Sequence, residues 1–152
     1  MGIDYPKKTM YALVAQAATQ HPKAMAYCFM GKKTSYARLM QRIEQVASGL
    51  YQLGIRKGDR VTICMPNMPQ AVDCVYALNR LGAVANMIHP LCADRELRFY
   101  LQISKSKAIL TLDSFYETVK GMMGTVDAAP MYPGFPRQVM DMDEAVLRFH
   151  QL

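Results

Sequence analysis

The sequence lacks the long apolar segment and the signal-peptide core that would direct a protein into or through a membrane. No apolar run approaches the roughly 20 residues needed to cross a bilayer. The first residues, Met1-Gly-Ile-Asp-Tyr-Pro6, contain no signal-peptide core, and Pro6 stands where an N-myristoylation signal has serine or threonine. We therefore expect a cytoplasmic protein without a transmembrane segment.

Cysteine is scarce, and its spacing matches no metal-binding or disulfide motif. The chain has 4 cysteines and no C-x-x-C pair. All of them lie within or beside apolar stretches, which favours small buried side chains in a reducing compartment over a zinc site or a disulfide framework. They are Cys28, Cys64, Cys74 and Cys92.

Motifs that bind phosphate or carry out hydrolysis are also missing. The sequence contains no G-x-G-x-x-G, no G-x-x-x-x-G-K-[ST], no G-x-S-x-G and no H-E-x-x-H. Gly121 and Gly124 follow a predicted helix rather than a strand, so they make poor phosphate loops. The residues alone thus describe a scaffold without an active site.

Few side chains stand out as candidates for chemistry. His21 and His150 are isolated, whereas His89 ends a predicted strand, where ligands bind in open α/β sheets. Without a paired carboxylate, a hydrogen-bonded structural histidine is favoured. Asp59 is expected to order the turn before a strand, and Tyr36 to pack at a helix start. We assign no catalytic, cofactor-binding or metal-binding residue.

The net charge of +6 comes from basic residues that fall in predicted turns and element ends. This placement favours solvated loop charge over a phosphate-binding patch. No aromatic residues interleave with the basic ones as in a nucleic-acid module, so we expect no nucleic-acid partner. The basic pairs are Lys7-Lys8, Lys32-Lys33, Arg56-Lys57 and Lys105 with Lys107.

The 152 residues, 51% hydrophobic and 20% charged, suit one globular domain built around residues 54–90. An apolar run at 60–65 is followed by an apolar helical stretch at 70–81 and, after Gly82, by a second apolar run at 83–88. Two nearly continuous apolar strands joined by a helix predict a buried parallel pair with a right-handed crossover.

The flanking segments extend this pattern. Thr9 can cap a first helix, whose predicted face carries Met10, Leu13, Val14 and Ala17. A short hairpin over 24–36 and a helix over 36–53 follow, the helix with the apolar stripe Leu39, Ile43, Val46, Leu50 and Leu53. Asp94 can cap the next helix, whose predicted buried side carries Leu97, Tyr100, Leu101 and Ile103. A strand over 107–112 follows. After it comes a predicted helix that carries Phe115, Val119 and Met122. The predicted fold class is α/β, a mostly parallel sheet with helices on both faces and a short N-terminal β-hairpin.

The pattern weakens toward the C-terminus. Residues 1–123 form the predicted α/β portion, and 124–136, rich in proline and glycine, are a predicted linker. Asp141 with Glu144 makes a capping-box-like start, so 137–152 are predicted to form a terminal amphipathic helix.

Three stretches together resemble the adenylate-forming, AMP-binding enzymes. Lys33-Thr-Ser-Tyr-Ala-Arg-Leu39 is similar to the first core motif, in which Thr/Ser-Tyr precedes a helix. Leu53-Gly-Ile-Arg-Lys-Gly-Asp-Arg-Val61, continuing to Met65-Pro-Asn67, resembles the family's segment from leucine-glycine to proline-asparagine. Leu78-Asn-Arg-Leu-Gly-Ala-Val84, through to Pro90, resembles the second core motif. In this order and at this spacing, the three stretches make the chain similar to AMP-forming acyl-CoA synthetases from about Thr9 to about Val119. The run Asn86-Met-Ile-His-Pro-Leu91 favours the acyl-CoA synthetase branch of the family over the amino-acid-activating branch.

The resemblance implies a parent ligase that converts a carboxylic or fatty acid and ATP to an acyl-adenylate and passes the acyl group to coenzyme A. The implied phosphate loop, adenine and ribose motifs and catalytic lysine have no counterpart here. ATP, magnesium and coenzyme A are thus expected for the full-length parent, and no cofactor for this chain. We expect the chain to be an N-terminal scaffold part that is inactive alone. A natural truncation, a shifted reading frame and a divergent loop remain alternative explanations of the departure after Met122.

Two other functions stay open. A non-catalytic α/β module would associate with itself, or with the remainder of the parent enzyme, through an uncovered apolar face. A flavodoxin-like or receiver domain is a weaker alternative, because the sequence lacks the phosphate loop of the first and the acidic cluster of the second.

Overall fold

Two sheets organise the part of the chain that the computed structural model describes, namely residues 7–112 together with Phe115, Val119 and the pair Met140–Asp141. The helices are α1 (Met10–Gln20), α2 (Tyr36–Gln52), α3 (Pro69–Leu81) and α4 (Asp94–Ser104). The strands are β1 (Met25–Phe29), β2 (Lys32–Ser35), β3 (Arg60–Cys64), β4 (Val84–Ile88), β5 (Ala108–Thr111) and β6 (Met140–Asp141). None of the described helices is long and apolar enough to span a membrane.

The main sheet has the strand order β4-β3-β5-β6, and every pair in it is parallel. In register, β3 places Val61 beside Ala85 of β4 and beside Ala108 of β5. The predicted parallel pair of residues 60–65 and 83–88 is thereby confirmed. The smaller sheet is the antiparallel β1–β2 hairpin, also as predicted.

Helices cover both faces of the main sheet. On one face, α2 and α3 pack on β3 through Ile43, Leu50 and Leu78, which surround Val61 and Ile63. On the other face, a second buried cluster contains Cys64, Ile88, Leu97, Ile109 and Val119. β3 is buried on both faces, which explains its nearly continuous apolar sequence. The predicted burial is wrong for β4, whose Val84 and Met87 are 51% and 57% exposed, because β4 is an edge strand among the described strands.

Local sequence signals set most helix ends. The Thr9 hydroxyl accepts a hydrogen bond from the Ala12 N–H at 3.1 Å, and the Ser35 hydroxyl accepts one from the Arg38 N–H at 3.3 Å. Gly82 ends α3 with φ 71°. The predicted cap at Asp94 is wrong: Ala93 is the N-cap, and the Glu96 carboxylate accepts its N–H at 3.0 Å.

The predicted buried faces of three helices need correction. In α1, Val14 packs on the core as predicted, but Met10 and Leu13 are 49% and 40% exposed, and Tyr11 packs on the core with Val14. In α2, Val46 belongs to the predicted apolar stripe but is only half-buried, and Ala47 beside it is buried instead. In α4, Ile103 is 62% exposed and Tyr100 38%, because only Leu97 and Leu101 reach the sheet.

The predicted terminal helix over 137–152 is wrong at its two described residues. Met140–Asp141 form β6, which pairs in parallel with Leu110 and Thr111. No other described strand lies on that side of β5. Residues 140–141 can therefore form backbone hydrogen bonds with β5 if they are extended, and a helical backbone could not. The rest of that range and the predicted linker over 124–136 lie outside the described residues.

Candidate functional site

The carboxyl ends of β3 and β4 are the first place to look for a site, because ligands bind at this edge of open α/β sheets. His89 follows β4 and is exposed, and its Nδ1 accepts a hydrogen bond from the Leu91 N–H at 3.2 Å. This hydrogen bond stabilises the short loop after β4, to which His89 itself belongs. Asn67, after β3, is also exposed.

The loops at this edge do not fit the phosphates of a nucleotide. Residues 65–69 and 89–93 contain Pro66, Pro69 and Pro90 and no glycine. Proline has no N–H to donate, whereas phosphate cradles are built from glycine backbone N–H groups. Within the described ranges, no three His, Cys, Asp or Glu side chains come together as a metal-binding group either. We therefore derive no chemical step through ATP or magnesium from these residues.

The opposite edge of the sheet uses its charged residues to hold the turn before β3. The Asp59 carboxylate accepts hydrogen bonds from the Lys107 ammonium and the Arg56 N–H, both at 2.7 Å. Burial acts to raise the pKa of Asp59, but these two donors outweigh it, and the pKa lies below its ordinary value. Lys107 also donates to the Gly54 carbonyl at 2.8 Å, so the turn is tied to β5.

Two of the motif stretches meet at this turn. The Gly58 N–H donates to the Gly82 carbonyl at 2.9 Å, and the Val84 N–H donates to the Asp59 carbonyl at 2.8 Å. Gly58 and Gly82 have φ of 85° and 71°, a backbone conformation that glycine adopts at little cost. The glycine-aspartate-arginine-valine and leucine-glycine-alanine-valine segments thus fasten β3 to β4.

The basic pairs do not form one patch. Lys107 is engaged with Asp59, and Arg56 lies 3.6 Å from the centroid of the Tyr51 ring while donating to the Tyr51 carbonyl. The Lys8 ammonium donates to the Gln16 side chain at 2.6 Å. These side chains stabilise local structure. For Lys107 the predicted solvated charge is wrong, because its side chain is only 16% exposed and is paired with Asp59.

A partly buried ion pair joins α2 to α3. Arg42 directs Nε and Nη2 to the same oxygen of Asp73, Oδ2, at 2.6 and 2.5 Å. The other oxygen, Oδ1, is buried and has no hydrogen-bond partner. Burial raises the pKa of Asp73 to about 6, and the Arg42 guanidinium offsets only part of this effect. No motif in the sequence signals this pair.

All four cysteines are free thiols, but the structure confirms the predicted burial for only some of them. Cys64 and Cys74 are buried, and burial raises their pKa to about 11 and about 12, as expected of inert structural thiols. Cys92 is half-buried. Cys28 is exposed, contrary to the prediction, because β1 is part of a hairpin outside the main core.

An apolar groove of about 370 Å³ lies beside α3. It is lined by residues of α3 and of the segment before it, by residues of β1, and by Met10 of α1 and Met87 of β4. Single apolar residues in the sequence look like core residues, so only the fold reveals this groove. The lining side chains include Tyr27, Cys28, Met68, Val72, Tyr76 and Met87.

Comparison with known proteins identifies the family. A family model described as AMP-binding enzyme matches residues 14–145 of this chain. The chain belongs to the AMP-binding enzyme family. The match extends beyond Val119, where the motif resemblance in the sequence ends.

Relatives of this chain include long-chain-fatty-acid–CoA ligases. The long-chain-fatty-acid–CoA ligase of Bacillus subtilis is 31% identical over 111 residues, which are 73% of this chain and 20% of the ligase. Pyochelin synthase PchD of Pseudomonas aeruginosa is 32% identical over 97 residues, which are 64% of this chain and 18% of the synthase. The chain thus spans about 20% of the length of the first of these curated relatives.

A solved structure locates the match within such enzymes. The N-terminal domain of FACL13 from Mycobacterium tuberculosis superposes with a TM-score of 0.82 at 28% identity and covers 94% of this chain. The chain covers 36% of that domain. It therefore corresponds to the N-terminal part of AMP-forming fatty acyl-CoA ligases, and the predicted α/β fold with a parallel sheet and a hairpin is confirmed.

Proposed function

We propose that this chain is a structural part of an AMP-forming acyl-CoA synthetase and does not turn over by itself. In the parent reaction, a carboxylate oxygen attacks the α-phosphorus of ATP and pyrophosphate leaves. The thiolate sulfur of coenzyme A then attacks the acyl carbon, and AMP leaves. A fatty acid substrate, ATP and coenzyme A, and a cytoplasmic location belong to this proposal.

One observation carries the proposal: the motif residues hold the fold together. Asp59, Gly58 and Gly82 connect the turn, β3 and β4, and Lys107 ties the same turn to β5. Phosphoryl and acyl transfer need charge stabilisation at the reacting atoms. The proline-containing loops at the carboxyl edge offer few donors for it.

The test compares this chain with a chimera. In the chimera, the corresponding residues of this chain replace the matched 111-residue segment of the Bacillus subtilis ligase. Both are mixed with ATP, magnesium and a panel of carboxylic acids, and ATP–pyrophosphate exchange is followed. We expect exchange from the chimera and none from the chain alone. Exchange by the chain alone would refute the proposal, and so would a folded chimera without exchange.

Exposed apolar side chains favour a second candidate, a non-catalytic module that associates with itself. Met87, Val84 and Phe99 are 57%, 51% and 55% exposed. Large exposed apolar patches often mark interfaces. Sedimentation velocity over a range of concentrations tests this function: a monomer at every concentration contradicts self-association, and a stable dimer supports it. The domain division into 1–123, 124–136 and 137–152 stays a prediction.

A further inference from the structure

The net positive charge of the chain is confined to its N-terminal part. Between Asp4 and Glu44 the sequence contains seven basic residues and no acidic one. From Glu44 to Leu152 basic and acidic residues are equally frequent, with eleven of each. The excess charge therefore belongs to the segment that contains α1, the β1–β2 hairpin and the start of α2. The seven basic residues are Lys7, Lys8, Lys23, Lys32, Lys33, Arg38 and Arg42.

Two of these lysines lie beside the tip of the hairpin. Lys32 and Lys33 are exposed, and none of the ion pairs among the described residues includes them. Lys32 is opposite Phe29 and Lys33 is opposite Cys28, and neighbouring residues of a strand point to opposite faces. Each face of the hairpin thus carries a lysine near the tip, and the described part of the chain supplies no acidic partner for either charge.

An apolar residue occupies the turn between the two strands. Met30 is 91% exposed, and Phe29 beside it is 37% exposed. Met30 and Gly31 have φ of 47° and 79°, as in the two-residue turns that favour asparagine-glycine. A Cβ added at Gly31 would meet nothing within 4 Å, so the tip projects from the rest of the described chain. Methionine gains no packing here and adopts an unfavourable backbone conformation, so the fold by itself does not account for Met30.

An apolar tip between lysines fits the surface of a bilayer that contains anionic lipids. An apolar side chain can enter the hydrocarbon of such a bilayer while lysines stay among the negative headgroups. An acidic protein would also match the charge, but a plane of negative charge better suits basic residues that are spread over a long segment around a projecting tip. We propose that the β1–β2 hairpin docks on an anionic membrane surface, with Met30 in the lipid and Lys32 and Lys33 at headgroups.

The chain contains no tryptophan, which allows a direct test with a single fluorescent residue. Met30→Trp places this residue at the tip, and Met25→Trp is the matched control, because Met25 is 55% exposed at the other end of β1. Both variants are titrated with vesicles of phosphatidylcholine and with vesicles that also contain an equal part of phosphatidylglycerol. We expect a blue-shifted emission and quenching by brominated acyl chains only for Met30→Trp with the anionic vesicles.

Co-sedimentation with the same vesicles measures what each group contributes. Met30→Asn should lower the partition about tenfold, because the burial of a methionine is lost, and asparagine suits this turn, so unfolding does not explain the loss. Lys32→Gln with Lys33→Gln should lower it roughly 30-fold, at about fivefold for each lysine near the surface. Lys57→Gln with Lys105→Gln removes the same charge from exposed sites at the amino edge of the main sheet and should change it less than about threefold.

Four results would overturn the inference. Equal partition into neutral and anionic vesicles would show that the lysines play no part, and binding to neither would show that the tip meets no membrane. Equal losses from the two lysine pairs would leave only the net charge as a cause. Tight binding of polyglutamate, weakened by Met30→Asn as much as vesicle binding is, would assign the hairpin to an acidic protein. None of these measurements requires turnover, so they are independent of the proposed function.

Discussion

Replacing Asp73 by asparagine tests how α2 and α3 are held together. The Asp73 side chain is 3% exposed, and its only ionic partner among the described contacts is Arg42, whose side chain is 31% exposed. Both guanidinium bonds end on Oδ2, which leaves Oδ1 without a hydrogen bond in the interior. A buried carboxylate with one orphaned oxygen is costly even beside a cation. Asparagine has nearly the same shape and no charge.

The pKa of Asp73 gives the size and sign of the effect. Burial raises this pKa from 3.8 to about 6, so between these values the folded protein binds more protons than the unfolded chain. Stability then falls as the pH rises through this window and stays lower above it. The shift of about two units corresponds to roughly 3 kcal/mol. Since asparagine resembles the protonated acid, Asp73→Asn should match the wild type near the lower value and exceed its stability at neutral pH.

The assay is urea unfolding followed by circular dichroism, at several pH values from about 4 to about 7. The quantity of interest is the difference in unfolding free energy between the variant and the wild type. Glu44→Gln is the matched control. The Glu44 carboxylate accepts hydrogen bonds from Arg80 and Tyr11, and these outweigh the effect of burial and lower the pKa of Glu44. Glu44→Gln should therefore destabilise the folded protein at neutral pH and have no effect in acid. If Asp73→Asn is the less stable protein at neutral pH, by a margin that grows with pH, the Arg42 attraction exceeds the cost of burial and the reasoning fails.

Three further substitutions test the turns and the ties of the sheet. Met30→Asn should raise the melting temperature by the equivalent of up to about 1 kcal/mol, because Met30 has φ 47° in the hairpin turn, where asparagine is favoured; an unchanged melting temperature would contradict it. Lys107→Met should lower the free energy of unfolding in urea by about 1–3 kcal/mol, because the hydrogen bonds to Asp59 and to the Gly54 carbonyl are lost. Lys105 is exposed, so Lys105→Met should change this free energy little. Equal losses would show that the Lys107 hydrogen bonds do not stabilise the turn. Gly82→Ala should destabilise more than Gly58→Ala, because both have positive φ but only at position 82 does the added Cβ meet the Lys57 side chain, at 3.0 Å; equal losses would show that contact to be harmless.

The sequence predicted the central unit well because its signals are local and agree with one another. Continuous apolar runs at β3 and β4, glycine after α3 and a helical stretch between them allow few other arrangements. The β1–β2 hairpin was predicted on similar grounds. The same logic identified Asp59 as a turn residue, and the Arg56 N–H and Lys107 bonds supply the reason.

The errors fall where an element has more than one apolar face or where its neighbour is distant in sequence. Ile103 lies one turn from Phe99 on a face of α4 that meets no described element, and periodicity cannot tell which apolar face will be covered. Cys28 looked like a core residue until the hairpin placed it beside the groove. The strand at Met140–Asp141 depends on the free side of β5, which no local pattern reports.

From α1 to β5 the sequence by itself determined the order and type of the elements, and it also determined the family, because each depends on residues that are neighbours along the chain. The tertiary structure decided which charges become buried partners, as for Arg42 and Asp73, and which apolar side chains form a groove rather than a core. Burial and pairing depend on where distant segments meet, so these properties exist only once α2, α3, β1 and β4 have come together.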